Sequence, residues 1–317
     1  MDTVYFIAQE TFFFAIPLLI VALGGMYSER SGIINIALEG IMVMGAFAGI
    51  VFIHTMEGTM EGQGVLILAL LIAGGIGGLF SLLHAFASIN MRADQTISGT
   101  ALNMFAAPFV IYVARMKQGV QQVPFTDTFG IRSVPVLGKI PFIGPMFFQN
   151  CYITTYIGIL IYFIAAYVIQ KTKFGLRLRA CGEHPQAADS VGVNVYKIRY
   201  AGVFISGVLA GIGGLVFVVP TSTNFNGSVA GYGFLALAVL IFGQWRSGKI
   251  FRAAFFFGIM KTLASAYSAI PGIKSLPLPS EVYKMIPYVA TLIVLSFMQK
   301  TSTAPRAEGI PYDKGSR

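Results

Sequence analysis

Long apolar runs, each about as long as a bilayer is thick, recur along almost the whole chain. A spanning α-helix needs about 20 mostly apolar residues. Only 11% of the 317 residues are charged, against roughly 25% in soluble domains. The runs occupy residues 7–26, 33–53, 64–88, 97–115, 150–170, 199–220, 231–243, 250–270 and 284–299. The sequence therefore predicts an all-α polytopic membrane protein, with residues 1–317 as a single transmembrane domain.

These runs predict about nine crossings, within a range of eight to ten. The run 231–243 is short, and the run 33–53 contains polar residues. Either of them fits a re-entrant or broken helix, which is tolerated where the chain is buried in protein.

Lysine and arginine are unevenly distributed between the segments that join the runs. These residues concentrate in the cytoplasmic loops of membrane proteins. Most of the 22 in this chain fall in or beside alternate segments, which are 27–32, 89–96, 171–198, 244–249 and 300–317. The sequence therefore predicts a cytoplasmic loop at 171–198, a cytoplasmic tail at 300–317, and an extracytoplasmic lid or hairpin at 116–149. This bias explains the net charge of +9 without a nucleic-acid partner.

The loop 171–198 contains a short predicted helix with clear ends. Pro185 suits a first helical turn, and Glu183 places negative charge at the positive end of the helix dipole. Gly192 can end the helix in a left-handed conformation. The residues expected to face a cytoplasmic partner are Glu183, His184, Pro185, Ala187, Ala188, Asp189 and Gly192. Taken without a family, the same residues also fit a solvated loop with ordinary positive-inside charge.

Four sequence blocks follow one another along the chain. They are SERSGIINIALEGIMVMGAFAG at 28–49, RADQTISGTALN at 92–103, KFGLRLRACGEHPQAADSVGVNV at 173–195 and GYGFLALAVLIFG at 231–243. Together they resemble the permease subunits of ABC importers in the ribose and branched-chain amino acid permease superfamily, and most closely the bacterial nucleoside permeases. After the fourth block that family usually has Trp-x-Pro, whereas this chain has Trp245-Arg246-Ser247. The departure concerns the geometry of the turn 244–249.

The resemblance implies a type II ABC-importer permease bundle that works by alternating access in a bacterial plasma membrane. It implies three kinds of partner: cytoplasmic ATP-binding subunits, a second permease subunit that is homologous or identical, and an extracytoplasmic substrate-binding lipoprotein. The chain itself has no Gly-x4-Gly-Lys-Ser/Thr phosphate loop, so ATP must be hydrolysed by another subunit. We expect no metal, no cofactor and no enzymatic activity, since no metal-ligand or Ser-His-Asp arrangement is visible.

Two alternatives stay open. The same machinery could import a simple sugar or a branched-chain amino acid, although an amino acid would require charged partners that the predicted path rarely offers. The chain could instead be a stand-alone, ion-coupled secondary transporter. That class would need carboxylates inside the membrane, and only Glu39 qualifies.

Two glycine-rich segments predict an internal repeat. AGGIGGLF at 73–80 and AGIGGLVF at 210–217 are near copies, and transporters often contain repeated halves. Because both segments lie inside apolar runs, we interpret their Gly-Ile-Gly pairs as positions of close helix packing rather than as dinucleotide fingerprints.

Polar residues inside or at the ends of the apolar runs mark the candidate cargo path. Such groups are costly against lipid and usually face the bundle interior. The predicted path residues are Asn35, Glu39, Ser98, Thr100, Asn103, Thr223 and Asn224. For any single Ser or Thr, the alternative is a hydrogen bond to a backbone carbonyl of its own or a neighbouring helix.

Two charged residues, Glu39 and Lys261, lie inside predicted spans. A charge in mid-membrane costs about 3 kcal/mol on insertion scales, and the opposite signs suggest the hypothesis that the two residues pair. The other groups that could face Glu39 are the ends of a re-entrant helix or the cargo. We interpret His84, near the inner end of the third run, as structural.

Overall fold

Helices make up most of the structure, a computed structural model that describes residues 2–60, 62–126, 129–267, 279, 282–283, 285–298 and 303–315. In chain order the α-helices are α1 Asp2–Glu29, α2 Leu38–Met56, α3 Gln63–Ile89, α4 Gln95–Gln118, α5 Ile153–Lys171, α6 Lys173–Glu183, α7 Pro185–Ser190, α8 Val195–Thr221, α9 Tyr232–Phe242, α10 Ser247–Ser265 and α11 Ile286–Met298.

Six helices of the described residues are long and apolar enough to cross a bilayer, namely α1, α2, α3, α4, α5 and α8. The protein is therefore polytopic, as predicted. Helix α9 is apolar but has only 11 residues, and α10 contains Lys249, Arg252 and Lys261. Two predicted spans are described in part only, because residues 268–270, 284 and 299 lie outside the described residues.

Two pairs of short antiparallel strands correct the purely helical prediction. Strand β1, Val123–Pro124, pairs with β4, Asn224–Phe225. Strand β2, Ile131–Ser133, pairs with β3, Gln149–Cys151. The β1–β4 pair ties the long α4–α5 connection to the segment between α8 and α9, which is distant in sequence.

The structure brings the predicted cytoplasmic segments together at one end of the bundle. Arg30, after α1, lies 3.5 Å from Glu183 at the end of α6. Arg92, between α3 and α4, lies 2.9 Å from Asp313 in the C-terminal segment. The connection 116–149 is at the opposite end, where it contacts the first residue of α3.

Helix α8 packs against α1, α2 and α3 through glycines that allow close backbone approach. A Cβ built on Gly77 would lie 2.4 Å from a backbone oxygen of α8, and one on Gly211 would lie 2.2 Å from the oxygen of Ala73. A Cβ on Gly213 would lie 2.3 Å from a side-chain atom of α1. The packing interpretation is confirmed at these three positions. It is wrong for Gly75, whose Cβ would have nothing within 4 Å.

We predict that Gly77→Ala destabilises the bundle and that Gly75→Ala does not. The first change forces α3 away from α8, and overpacking of this kind costs about 1–3 kcal/mol. The second places the same methyl group in open space on the same helix. Thermal unfolding of the detergent-purified subunits should give a lower melting temperature for Gly77→Ala alone, and equal melting temperatures would contradict the close α3–α8 contact.

Candidate functional site

The chain between α1 and α2 is not helical, although it lies largely inside the bundle. Residues 30–37 form turns and chain without regular secondary structure, and Gly32 has a φ of 98°, a conformation that would be strained in a residue with a side chain. Ile33 and Asn35 are both 0% exposed. Where water is excluded, the backbone N–H and C=O groups of such a break need partners from the protein. The broken helix start expected in the run 33–53 is confirmed.

Side chains of α3 and α4 supply these partners. His84 Nε2 donates to Ile34 O at 2.8 Å, and Gln95 Oε1 accepts from Ile34 N at 2.7 Å. Asn103 Nδ2 donates to Ile36 O at 2.8 Å, and its Oδ1 accepts from a backbone N–H in the first turn of α2 at 2.7 Å. Asn103 therefore caps α2 from a neighbouring helix, in the way that an N-cap residue normally does from within its own chain segment.

Helix α9 also begins inside the bundle. It follows Gly231, whose φ is 76°. The Glu39 carboxylate accepts from Gly231 N at 2.9 Å and from Gly233 N at 2.6 Å. Unpaired N–H groups and the helix dipole make a helix N-terminus positive, so Glu39 neutralises this end. At 11 residues, α9 is about 16 Å long, near half of the ~30 Å hydrocarbon core.

Glu39 joins the starts of two helices. It lies in the first turn of α2, and its side chain binds the first turn of α9. The two backbones are in close contact there, because a Cβ on Gly233 would lie 2.4 Å from Glu39 Cα. Discontinuous helices whose ends meet near the bilayer centre form the substrate and ion sites of many transporters.

The hypothesis that Glu39 pairs with Lys261 is wrong. No ion pair between described residues joins them, because the N–H groups of α9 bind the carboxylate directly. Lys261 Nζ lies 5.6 Å from the ring centre of Tyr232, the residue between the two glycines that bind Glu39. The Tyr232 ring stacks on Phe217, with ring centres 3.9 Å apart.

Two further predicted path residues, Asn35 and Ser98, also lie at the break. Asn35 Nδ2 donates to Ser206 Oγ at 2.9 Å, and Ser98 Oγ lies 3.1 Å from His84 Nδ1. Because Ile34 O can only accept, His84 carries its proton on Nε2 and Nδ1 accepts from Ser98. Within the described residues, the buried Asn35 Oδ1 has no hydrogen-bond partner.

The other predicted path residues lie away from the break. Thr100 is exposed, and its Oγ1 donates to Thr96 O of its own helix at 2.8 Å, which is the alternative stated for a single Thr. Thr223 and Asn224 are exposed at the strand-bearing end of the bundle. Their contribution to a cargo path stays a prediction.

Sequence reasoning missed Gln95, Ser206 and Tyr232. Gln95 had a local signal in the sequence, since it is a polar residue close to the start of an apolar run. In the structure its side chain is buried, with 4% exposure. Ser206 and Tyr232 had none, because their roles depend on which neighbouring helix they face. His84 fits the structural role assigned to it, through its bond to the break.

The segment 173–195 contains two helices before α8 rather than one. Pro185 is the first residue of α7, and Gly192 follows the helix with a φ of 84°, as predicted. Helix α6 was not predicted, and Glu183 is its last residue. Glu183 therefore lies just before α7 rather than in it, with its carboxylate 3.5 Å from Arg30, and its effect on the start of α7 stays a prediction.

Helix α7 presents one side to solvent. Pro185 and Ala188 are buried, whereas His184 and Ala187 are exposed. Val191, just after the helix, is 78% exposed. A partner docking at this end would meet a small, mixed apolar and polar surface.

The turn before α10 accommodates the departure from Trp-x-Pro. Ser247 is the first residue of α10, a position that also suits proline, and its Oγ accepts from Gln170 Nε2 at 2.6 Å. Gln244 and Trp245 have φ values of 49° and 52°. Trp245 Nε1 donates to Glu29 Oε2, which anchors the turn to the end of α1.

The fold and this site define the class of the protein. A polytopic helical bundle with two helix starts meeting at its centre is the architecture of a membrane transport protein. Within the described residues, no group of three or more His, Cys, Asp or Glu side chains could hold a metal ion. A family model described as "Branched-chain amino acid transport system / permease component" matches residues 7–295, and the chain belongs to this family. It is a transport component rather than an enzyme.

Two relatives are similar along nearly their whole length. "Guanosine ABC transporter permease protein NupQ" of Bacillus subtilis is 43% identical over 314 residues, 98% of this chain and 97% of the relative. "Nucleoside ABC transporter permease protein NupC" of Lactococcus lactis is 42% identical over 315 residues, 99% of this chain and 98% of the relative.

A third relative is more distant. "Guanosine ABC transporter permease protein NupP" of Bacillus subtilis is 25% identical over 295 residues, 88% of this chain and 78% of the relative.

We predict that Asn103→Ala destabilises the protein. The change leaves Ile36 O and Gly40 N–H without partners inside the bundle, at about 1–3 kcal/mol for each buried unsatisfied group. Thr100→Ala is the control, since it removes an exposed hydroxyl that bonds only its own helix. Thermal unfolding should show a lower melting temperature for Asn103→Ala, and a wild-type value would exclude the capping role.

We also predict that Glu39→Gln destabilises the protein more than Lys261→Met does. A glutamine amide can accept from only one of the Gly231 and Gly233 N–H groups and turns a donor towards the other, so we expect a loss of about 1–3 kcal/mol. Lys261→Met removes a cation–ring contact worth about 1 kcal/mol or less. Membrane yield and thermal unfolding measure both, and equal losses would contradict the larger contribution assigned to the contact between Glu39 and the start of α9.

Proposed function

We propose that this chain is the membrane-spanning permease subunit of an ATP-driven importer of nucleosides in a bacterial plasma membrane. The observation that carries the proposal is the identity of 43% and 42%, over nearly the full chain, to permeases named for guanosine and for nucleosides. Cargo crosses by alternating access, and no bond in it is broken. The break before α2 and the start of α9 are the places where such a movement can be accommodated.

The chemistry at the break supports an uncharged cargo. Glu39 already occupies the positive start of α9, so this end is not open to a carboxylate or phosphate of the cargo. Lys261 faces an aromatic ring. The amide of Asn35, with its unpartnered oxygen among the described residues, and the hydroxyl of Ser206 remain. Amides and hydroxyls suit ribose hydroxyls and base edges, whereas a zwitterion would have to be buried without charged partners.

The second permease of the proposed importer is a homologous chain. Bacillus subtilis has two permease proteins named for guanosine transport, and this chain is similar to both, at 43% and 25% identity. Such a pair supports a heterodimer in which this chain takes the place of the more similar member. A dimer of identical chains is the alternative.

Cytoplasmic ATP-binding subunits are proposed to dock on α7. This short helix is exposed on one side, and it lies at the end of the bundle that collects most of the Lys and Arg residues, which favours a cytoplasmic location. The C-terminal segment lies at the same end, which supports a cytoplasmic C-terminus.

The opposite end is proposed to receive cargo from a substrate-binding lipoprotein. A depression of about 620 Å³ opens there between the ends of α2 and α3 and the loop 116–149, lined in part by Glu57, Met60 and Phe129. With the N-terminus on this outer side, the chain crosses about nine times: through the six long helices, through the segment that ends in α9, and through α10 and α11.

A type II importer bundle with an internal repeat accounts for the arrangement of the two glycine-rich segments. The near copies at 73–80 and 210–217 lie on α3 and α8 and pack against each other, since a Cβ on Gly77 would be 2.8 Å from Gly211 Cα. The paired starts of α2 and α9 support the same interpretation.

Two alternatives are tested by the same experiment. The family description names branched-chain amino acids, and a simple sugar could use the same machinery. A secondary transporter would act without an ATPase and would need a carboxylate free to bind an ion, whereas Glu39 is engaged with α9.

We predict that vesicles containing this chain, its paired permease, the ATP-binding subunit and the binding lipoprotein take up radiolabelled guanosine only with ATP. Unlabelled nucleosides should compete, and ribose, glucose and leucine should not. Competition by leucine or by a sugar would show that the cargo is an amino acid or a sugar rather than a nucleoside. Uptake by the chain alone, driven by an ion gradient, would exclude the importer.

A further inference from the structure

The C-terminal segment crosses the proposed cytoplasmic end of the bundle in contact with several helices. Thr303 Oγ1 donates to Gln244 O at 3.0 Å. Ala307 N donates to Gly182 O at 2.8 Å, and Gly309 N donates to Gly32 O at 3.1 Å. The last two bonds join main-chain atoms of both partners. They therefore hold the backbone of the segment against α6 and the break, whatever the side chains are.

The distal part of the segment reaches α7 and α8. Tyr312 is 5% exposed and packs edge-on against Tyr196, with ring centres 5.5 Å apart. The carboxylate of Asp189, in α7, is near enough to the Tyr312 hydroxyl to interact with it electrostatically. Tyr312 also belongs to a buried cluster with Ala188 of α7 and Cys181 of α6.

Arg199 of α8 links the segment to the break. Its guanidinium is buried, with the residue 1% exposed, and Nη1 donates to Ile310 O at 3.1 Å. Its Nη2 lies so near Gly32 that a Cβ there would be 2.7 Å away. Within the described residues, Nε and Nη2 have no hydrogen-bond partner. A buried cation with unused donors is costly. The one hydrogen bond that the C-terminal segment gives the Arg199 guanidinium therefore compensates part of that cost.

We propose that residues 303–313 form a C-terminal clasp that transmits displacement of α7 to the break before α2. The inference rests on the proposed function, in which ATP-binding subunits move α7. The contacts form a continuous route: Tyr312 shares a buried cluster with Ala188 of α7, Arg199 binds Ile310, and Gly309 binds Gly32 at the start of the break. The break continues to Asn103 and Glu39 at the centre of the bundle.

The clasp has one contact that we expect to be dispensable. The Arg92–Asp313 ion pair is 49% and 40% exposed at its two side chains, and exposed pairs contribute little. The main-chain bonds at Ala307 and Gly309 and the buried Tyr312 are the contacts that require α6, α7 and the break to move together.

Two truncations test the clasp in the assembled importer. A chain ending at residue 313 keeps the clasp, and a chain ending at residue 302 lacks it. We expect both to co-purify with the ATP-binding subunits and to keep basal ATPase activity. Stimulation of the ATPase by cargo-loaded binding protein, and nucleoside uptake, should fall about tenfold, the size of an ordinary coupling between sites, only in the chain ending at 302.

The outcomes separate the clasp from the proposed function. If the wild-type complex shows no ATP-dependent nucleoside uptake, the proposed function fails first. If the wild-type complex is active and both truncations are stimulated equally, the clasp is excluded. Should the shorter chain not assemble, full-length Tyr312→Ala is compared with Asp313→Asn by the same ratio of stimulated to basal ATPase, and equal ratios overturn the proposal.

Cys181 reports independently on whether the clasp is seated. It is 0% exposed beneath Tyr312, and burial raises the pKa of its thiol to about 11, so little reactive thiolate exists near pH 8. In a Cys151→Ser background, maleimide should label Cys181 slowly in the full chain and about tenfold faster after Tyr312→Ala, as exposure controls thiol reactivity. Equal labelling rates would show that Tyr312 does not cover this site and would overturn the clasp.

Discussion

The central constraint on this protein is that lipid offers no hydrogen bonds, so every backbone N–H and C=O in the bundle must be satisfied internally. The long helix α3 contains no proline and meets the constraint along its interior, whereas Pro17 of α1 and Pro220 of α8 each remove one intrahelical bond. The chain before α2 and the start of α9 do not meet the constraint by themselves, and there the side chains of other elements take over. Asn103 binds both sides of the α2 start, and Glu39 binds the first N–H groups of α9. The discontinuous centre of the bundle depends on these two residues.

Glu39 also shows how a carboxylate is accommodated in a membrane protein. Its partner is the positive end of a helix rather than a cation, so the charge is compensated without burying a second ion. The same bonds fix α2 against α9, because sliding either helix would break contacts of 2.9 and 2.6 Å. A transporter that alternates between two states requires contacts that are either made or broken, since packed interiors do not deform continuously. The paired helix starts provide such a contact.

Prediction from sequence succeeded where the signal was local. Apolar run length predicted the spanning helices, Pro185 and Gly192 predicted the ends of α7, and the glycine pairs predicted close packing at Gly77 and Gly211. Prediction was incomplete where a residue's partner came from elsewhere in the fold. For Glu39 the sequence left three partners open, namely Lys261, the end of a re-entrant helix and the cargo, and the structure shows the second, because N–H groups at the start of α9 bind the carboxylate. Helix α6 was missed because its basic residues matched an ordinary cytoplasmic loop.

The sequence by itself determined that the chain spans a membrane, and it predicted which segments share a side and that the run 33–53 fits a broken or re-entrant helix, because these follow from apolar length, charge bias and the polar residues within the run. Only the tertiary structure decided what fills the break and what the C-terminal segment does. Ile34 and Ile36 are bound by residues 50 to 67 positions away, and Gly32 is bound by Gly309. Hydrogen bonds between such distant parts of the chain depend on how the helices pack, and packing is a property of the whole bundle rather than of any local stretch of sequence.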